Sequence, residues 1–331
     1  MKLLWPFLIV VLILTFAASI LIGQANAPIA DSLAALMTGD GPLGRIMQDI
    51  RLPRALLGVM VGVSLGLSGA AIQGYLRNPL AEPGIIGISG AASLGAVVSL
   101  QTGFAALFWL ALPLSALGSA FLAVLIILAL AGPRGGSLTL ILAGIAVSAL
   151  AGALTSLALN LSPNPYATYE IVFWMMGSLA DRSMDHVWLA LPFCLVGWVM
   201  IASLGPALNA LSLGEDTAAS MGINLTRSRL ILIIGVACSV GAVTAVSGAV
   251  GFVGLVVPHI LRPFVGARPS VLVWASALGG AIMILAADIL VRIVLPDGDL
   301  KLGVVMALIG APLFLHLIYK TRGDLNDPVF L

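Results

Sequence analysis

The sequence predicts an all-α integral membrane protein of about ten transmembrane helices, and three observations carry that prediction. Of 331 residues, 60% are hydrophobic and only 9% charged. The mean hydropathy is +1.15, which leaves too little polar surface to coat a water-soluble globule of this size. The apolar residues also fall into runs bounded by Gly, Pro and charges, and a hydrocarbon core about 30 Å thick is crossed by roughly 20 apolar residues of helix. No stretch remains for a separate soluble domain, so residues 1–331 read as one transmembrane unit.

The first run, 3–22, follows Lys2 and precedes Ala25, Asn26 and Ala27, the outline of a secretory signal with its cleavage site. A signal core has about 7–15 apolar residues, so this longer run predicts a retained first span. The second, 53–76, carries Gly58, Gly62 and Gly66, then Ala70 and Gly74, all four apart. That spacing cuts a smooth groove along one face where another helix can approach, a packing role that belongs in the middle of a bundle. A polar island, "GYLRNPLAEPG", follows from Gly74 to Gly84. Its prolines stop the flanking helices and leave Asn78 and Glu82 exposed on a rigid hairpin. Further spans are expected at 83–100, 105–131, 138–161, 187–204, 230–250, 271–291 and 302–319. The segment 252–265 has about 13 apolar residues and reads as a short buried crossing or a re-entrant piece.

If 252–265 crosses and the N-terminus is cytoplasmic, Lys2, Arg77, Arg134, Arg227, Arg229, Arg262, Arg268, Lys320 and Arg322 lie inside. Arg45, Arg51, Arg54, Arg182, Arg292 and Lys301 then lie outside. The positive-inside rule favours this orientation. Arg51 and Arg54 are three apart on one helical face, and Arg292 stands one turn after Asp288. They can present a basic rim to an acidic partner, or they snorkel at the interface while Asp288 and Arg292 make an intrahelical ion pair.

Other classes of function find little support. The net charge of +1 and scattered basic residues argue against nucleic acid. Cys194 and Cys238 have no CxxC or Cys/His spacing around them, so neither a disulfide framework nor a metal site is suggested. No GxxxxGK[ST] loop is present to cradle nucleotide phosphates, so ATP hydrolysis would need another subunit. Gly87 to Gly90 reads "GISG", the short pattern of intramembrane serine proteases, in which Ser89 would need a histidine on another helix as base; His186 falls in an outer loop, and His259 and His316 have no supporting acid nearby in sequence. Among 37 glycines so short a match is expected by chance. An ion-coupled transporter usually carries acids in mid-span, and only Asp288 of 14 acidic residues approaches a span interior.

A second polar island, "LSLGEDTAASMGINLTRSR" from Leu211 to Arg229, has signals of its own. Ser212 and Glu215 have capping-box spacing, Glu215 and Asp216 place acids in the first turn, and Gly222 closes the helix. Ala218, Ala219 and Met221 add a small apolar face. Such a helix is either an amphipathic connector on the headgroups or a docking element.

Five stretches in order, "RLPRALLGVMVGVSLGLSGAAIQGYLRNPLAEPGIIGISGA", "WMMGSLADRS", "LSLGEDTAASMGIN", "GAVGFVGLVVPHILR" and "LGVVMALIGAPLF", resemble the permease subunits of the ABC importers for iron siderophores, haem and cobalamin, the type II importers. The resemblance covers nearly the whole chain. It implies a ten-span, homodimeric permease with cytoplasmic termini in the bacterial inner membrane, in which 252–265 is the eighth crossing. Its partners would be a second copy, two ABC ATPase subunits and a periplasmic binding protein. The chain would bind no cofactor, ATP and Mg belonging to the ATPases. Within the cytoplasmic segment of about 206–229, Gly214, Glu215, Asp216, Ala218, Met221 and Gly222 correspond to the element that plugs into the ATPase. Arg51, Arg54 and Arg292 match positions that meet glutamates of the binding protein. Asn78 and Leu80 correspond to a cytoplasmic gate, with Ser137 near a second one. Relatives commonly have Glu-Leu-Pro before the last motif; Asp299, Lys301 and Met306 depart from the pattern, on the outer mouth of the path.

Overall fold

A computed structural model describes residues 3–23, 27–132, 136–162, 165–295 and 300–325. Lys2, Ala25, Arg134 and Asp299 lie outside them. The described residues form helices and turns with no strand. The chain opens with α1 (Leu4–Leu21), a short α2 (Ile29–Thr38) and α3 (Gly41–Arg45). A wide helical turn (Ile46–Arg51) then leads into α4 (Leu52–Leu76). After a tight hairpin come α5 (Ile88–Gln101), α6 (Ala111–Ala131), α7 (Ser137–Asn160) and α8 (Pro165–Met175). The second half comprises α9 (Met184–Ser203), α10 (Gly205–Leu211), α11 (Glu215–Ser220), α12 (Leu225–Ser247), α13 (Val253–Leu261), α14 (Pro269–Val294) and α15 (Leu302–Leu325).

Among the described residues seven stretches are long and apolar enough to cross a bilayer, and the shorter apolar helices are Ile29–Thr38, Ile88–Gln101, Val253–Val265 and Leu302–His316. The seven with the last three of these match the expected number of about ten. Their packing is concentric. The spans containing α4 and α12 are 83% and 78% buried, whereas α1 is 17% buried, so α4 and α12 are the interior and α1 faces outward.

The glycine spacing is the reason α4 can sit inside. A Cβ on Gly62 would lie 2.3 Å from the Gly280 carbonyl oxygen, and one on Gly66 would lie 2.0 Å from that of Ser276. Gly58 meets only side chains, the flexible ends of Leu285 at 2.9 Å and Leu179 at 3.5 Å. The backbones of α4 and α14 therefore touch along this seam, an approach that a side chain would prevent. Gly69, outside the four-residue pattern, makes the same approach to Gly254, with 2.0 Å to its carbonyl oxygen.

The segment 252–265 supplies only the second half of a path whose first half is the non-helical stretch from Gly248. Gly248 and Gly177 adjoin near the start of α15, where Gly303 N donates to the Met176 carbonyl at 3.1 Å. The chain then runs without helix to Phe252, and α13 continues beside the second half of α4, Gly254 against Leu65 and Arg262 bonded to Gln73. Non-helical backbone at this depth is tolerated because protein surrounds it. Two expectations need correction. The fourth span begins at Ala111, not 105, since residues 104–106 form a separate 3-10 turn. Residues 165–175, outside every expected span, form α8 with Pro165 in its first turn, where the missing N–H costs nothing.

Candidate functional site

Most of the residues expected to be functional gather near the two ends of α4, separated by 25 residues of helix, about 37 Å at 1.5 Å per residue. At its second end α4 stops at Leu76 because Arg77 turns left-handed, φ +51°. Asn78 N then donates back to the Gln73 carbonyl at 3.1 Å. The Asn78 side chain accepts from Leu80 N at 2.9 Å, and Ala81 N closes onto the Asn78 carbonyl at 3.2 Å. This is a self-bonded Asx turn. Asn78 is exposed and Leu80 half-buried.

Glu82, expected to be exposed, is instead drawn inward: its Oε1 accepts from Phe252 N at 2.5 Å, at the head of α13. Burial raises its pKa above the ordinary 4.5, partly offset by that hydrogen bond. Gln73 bolts the same two elements together, donating to the carbonyls of Ala81 and Gly254, each at 3.2 Å. The hairpin also meets α7 through Ser148 Oγ, which donates to the Gly84 carbonyl at 3.3 Å. Gly87, in the "GISG" stretch, has φ +81° and lies 2.9 Å, at Cβ distance, from the Gly144 carbonyl of α7. Its glycine is explained by that close approach. Ser137 begins α7.

Beside this hairpin sits α11. The expected Ser212–Glu215 capping box is absent: Ser212 Oγ instead donates to the Asn209 carbonyl at 2.6 Å and finishes α10. The N-cap of α11 is Gly214, at φ 112° and ψ 154°, a conformation open essentially to Gly alone. The reach of Ser212 is lost because the chain swings through that angle. Glu215 and Asp216 do occupy the first turn. Gly222, at φ +84°, closes the helix. Its N–H bonds Ala219 at 3.0 Å while Ile223 N bonds Ala218 at 3.1 Å, a Schellman closure. Asn224 at once caps α12, accepting from Arg227 N at 2.9 Å.

Ala218 is buried, so the exposed apolar side of this peg is Leu213, Ala219 and Met221. Leu213 was missed, although an apolar residue just before the hinge glycine is a visible signal. An ion pair holds the peg itself, and hydrogen bonds hold α10, which leads into it. Glu215 lies 4.0 Å from Arg77, and Asn209 of α10 exchanges hydrogen bonds with Ser270 of α14 at 2.9 and 3.1 Å. The structure thus brings α11 and the Asn78 hairpin together at one corner.

At the first end of α4 the expected basic rim is largely an internal network. Arg54 forks onto Asp288 with contacts of 2.8–3.0 Å, and Arg292 holds the same carboxylate at 3.0 Å. Arg51, 4% exposed, donates to the Ile20 and Leu21 carbonyls at 3.2 and 2.8 Å. Arg292 reaches those of Ser19 and Ile22 at 2.8 and 2.7 Å. The last carbonyls of a helix lack partners within it and favour cations. The arginines therefore clamp the end of α1 onto α4 and α14. One face carries Arg51 and Arg54, as the spacing predicts, but it turns toward protein. Their side chains leave 17% of Arg54 and 11% of Arg292 accessible.

On the same side, His186 caps α9, accepting from Ser183 N at 3.2 Å, which places it at the opposite end of the bundle from Ser89. Met306 is fully buried, and Lys301 Nζ stands 4.9 Å over the Phe173 ring. Among the described residues no group of three His, Cys, Asp or Glu side chains could hold a metal ion.

Comparison with known proteins agrees with this geometry. Residues 11–320 match the FecCD transport family. The chain is 36% identical over 321 residues to the vitamin B12 import system permease protein BtuC of Klebsiella pneumoniae, covering 96% of this chain and 94% of that one. It is 37% identical over 327 residues to the ferric enterobactin transport system permease protein FepD of Escherichia coli, covering 96% of each. A solved structure of a metal-chelate type ABC transporter in an inward-facing conformation superposes with a TM-score of 0.85 at 32% identity, covering 96% of this chain and 99% of that one.

Proposed function

The chain belongs to the FecCD transport family, and we propose that it is the membrane-spanning permease of an ATP-driven importer for a metal chelate, an iron siderophore, haem or cobalamin. Two copies would flank the path in the inner membrane with termini in the cytoplasm. Two ABC ATPase subunits, holding ATP and Mg, dock at the α11 end, and a periplasmic binding protein at the Arg54–Arg292 end. The chain itself catalyses no bond chemistry.

One observation carries this reading. A short, capped, polar peg has Ala218 buried and its Glu215 4.0 Å from Arg77, the residue that ends α4, beside the hairpin of Asn78 and Leu80. A push on α11 reaches the hairpin through rigid helix ends instead of dissipating in a loop. Because Glu82 and Gln73 tie that hairpin to α13, the displacement passes on to a half-helix at mid-bundle. Such a two-state bias is what alternating access requires. On the other side Arg54 and Arg292 shape the docking rim through Asp288, and Arg51 supports it from beneath.

The test is ATP-dependent uptake by the permease reconstituted with its ATPase and binding protein. Asp216→Lys and Gly214→Pro should leave ATP hydrolysis running while uptake falls by about tenfold or more, the factor equivalent to 1.4 kcal/mol of lost coupling. Normal uptake by both variants would remove α11 from the coupling role. Uptake by the chain alone under an ion gradient would overturn the importer reading itself.

A further inference from the structure

We propose that the cavity between α8 and residues 178–182, at the end opposite α11, is a subsite for one aromatic, anionic arm of the chelate. The proposal rests on the importer reading and assigns to this chain a part in recognising its cargo. The cavity measures about 300 Å³, the low end for small-molecule sites, so it has room for one ring-bearing arm and not a whole chelate.

Its chemistry comes from residues that lie far apart in sequence. Tyr169 and Phe173, one turn apart on α8, have ring centroids 4.1 Å apart at 32°, and Trp174 extends this wall. Tyr169 is 62% exposed, a large aromatic surface left unburied on the cavity. Against this wall, Lys301 Nζ sits 4.9 Å from the centre of the Phe173 ring. Arg182 also lines the space, and its Nε is buried without a hydrogen-bond partner. A buried donor without a partner is costly, and an anionic oxygen seated there would relieve it. Flat rings stack on aromatic walls, and cations above them favour an electron-rich face.

The cations are not in excess. Asp181 adjoins Arg182 and Glu170 stands on α8, and both carboxylates line the same cavity. A simple anion therefore gains little, and the site selects a ring that carries its negative oxygens at one edge, as a catecholate arm does. The walls are preformed: Ser178 N bonds the Ser247 carbonyl at 2.7 Å and Ala180 N bonds Ser178 Oγ at 3.1 Å. Such fixed backbone lowers the ordering cost of binding.

The full chain in lipid nanodiscs is titrated with two probes, a ferric tris-catecholate and a ferric trihydroxamate lacking rings. The tris-catecholate should bind about tenfold tighter. Phe173→Leu, which keeps bulk and removes the ring, and Arg182→Gln should each weaken it by about 5- to 30-fold while changing the trihydroxamate less than about twofold. Equal affinity for both probes, or equal weakening of both by the variants, overturns the subsite. Thermal unfolding midpoints within a few degrees of the parent show that the variants fold. Uptake by the reconstituted complex separates the two ideas: retained probe selectivity without any ATP-dependent uptake overturns the importer reading and leaves the subsite standing.

Discussion

Replacing Asp288 by Asn removes one negative charge from the contact of three helices. The carboxylate is 2% exposed and receives Arg54 at 2.8 Å and Arg292 at 3.0 Å. At an effective dielectric near 20, charges about 4 Å apart attract by about 4 kcal/mol. Two such pairs give a gross figure that dehydration of the carboxylate and repulsion between the two guanidiniums largely offset. The better guide is that removing one partner of a buried pair costs about 3–5 kcal/mol, because the remaining charge is left uncompensated. Here two cations are left, with Arg51 nearby and α1 held by the same network. An unfolding midpoint lower by on the order of 10 °C is expected, measured by tryptophan fluorescence of the purified protein in detergent. The Arg54→Gln, Asp288→Asn double variant should lose less than the sum of the two singles, a coupling of about 0.5–3 kcal/mol. A midpoint for Asp288→Asn within about 2 °C of the parent would refute the idea that this carboxylate holds this end of the bundle together.

Gly66→Ala should destabilise by about 1–3 kcal/mol, since its Cβ would fall 2.0 Å from the Ser276 carbonyl oxygen. Gly152→Ala, with nothing within 4 Å, should stabilise by up to about 1 kcal/mol; opposite signs in thermal unfolding check the seam. Gly214→Ala forces φ 112° on an L residue, and a cost of about 1–3 kcal/mol concentrated in α11 should appear as faster hydrogen exchange there. Glu82 has a raised pKa, so the folded chain holds that proton more tightly than the unfolded one. Its contribution to stability is best at low pH and falls as pH rises from about 4.5 through the raised value. Glu82→Gln should remove that decline, so its midpoint gains on the parent between acid and neutral pH; parallel profiles would refute the assignment.

Much of the architecture was legible in the residues alone. Hydropathy and run length reveal most of the spans because a bilayer imposes a minimum apolar length on a continuous helix that crosses it. The four-residue spacing of Gly58, Gly62 and Gly66 announces a close helix approach, and Gly222 announces a helix end, since both are local statements about one turn of backbone. What no local pattern could decide is which group meets which. Arg54 finds Asp288 234 positions away, so a row that reads as a basic rim also forms an internal clamp. Ser212 and Glu215 have the right spacing for a cap, yet the left-hand swing at Gly214 sends the serine elsewhere. Glu82 looks exposed until the unwound start of α13 arrives beside it. Spacing encodes what a single helix will do, whereas the pairing of buried charges and the assembly of Tyr169, Phe173, Arg182 and Lys301 around one cavity depend on how distant helices pack.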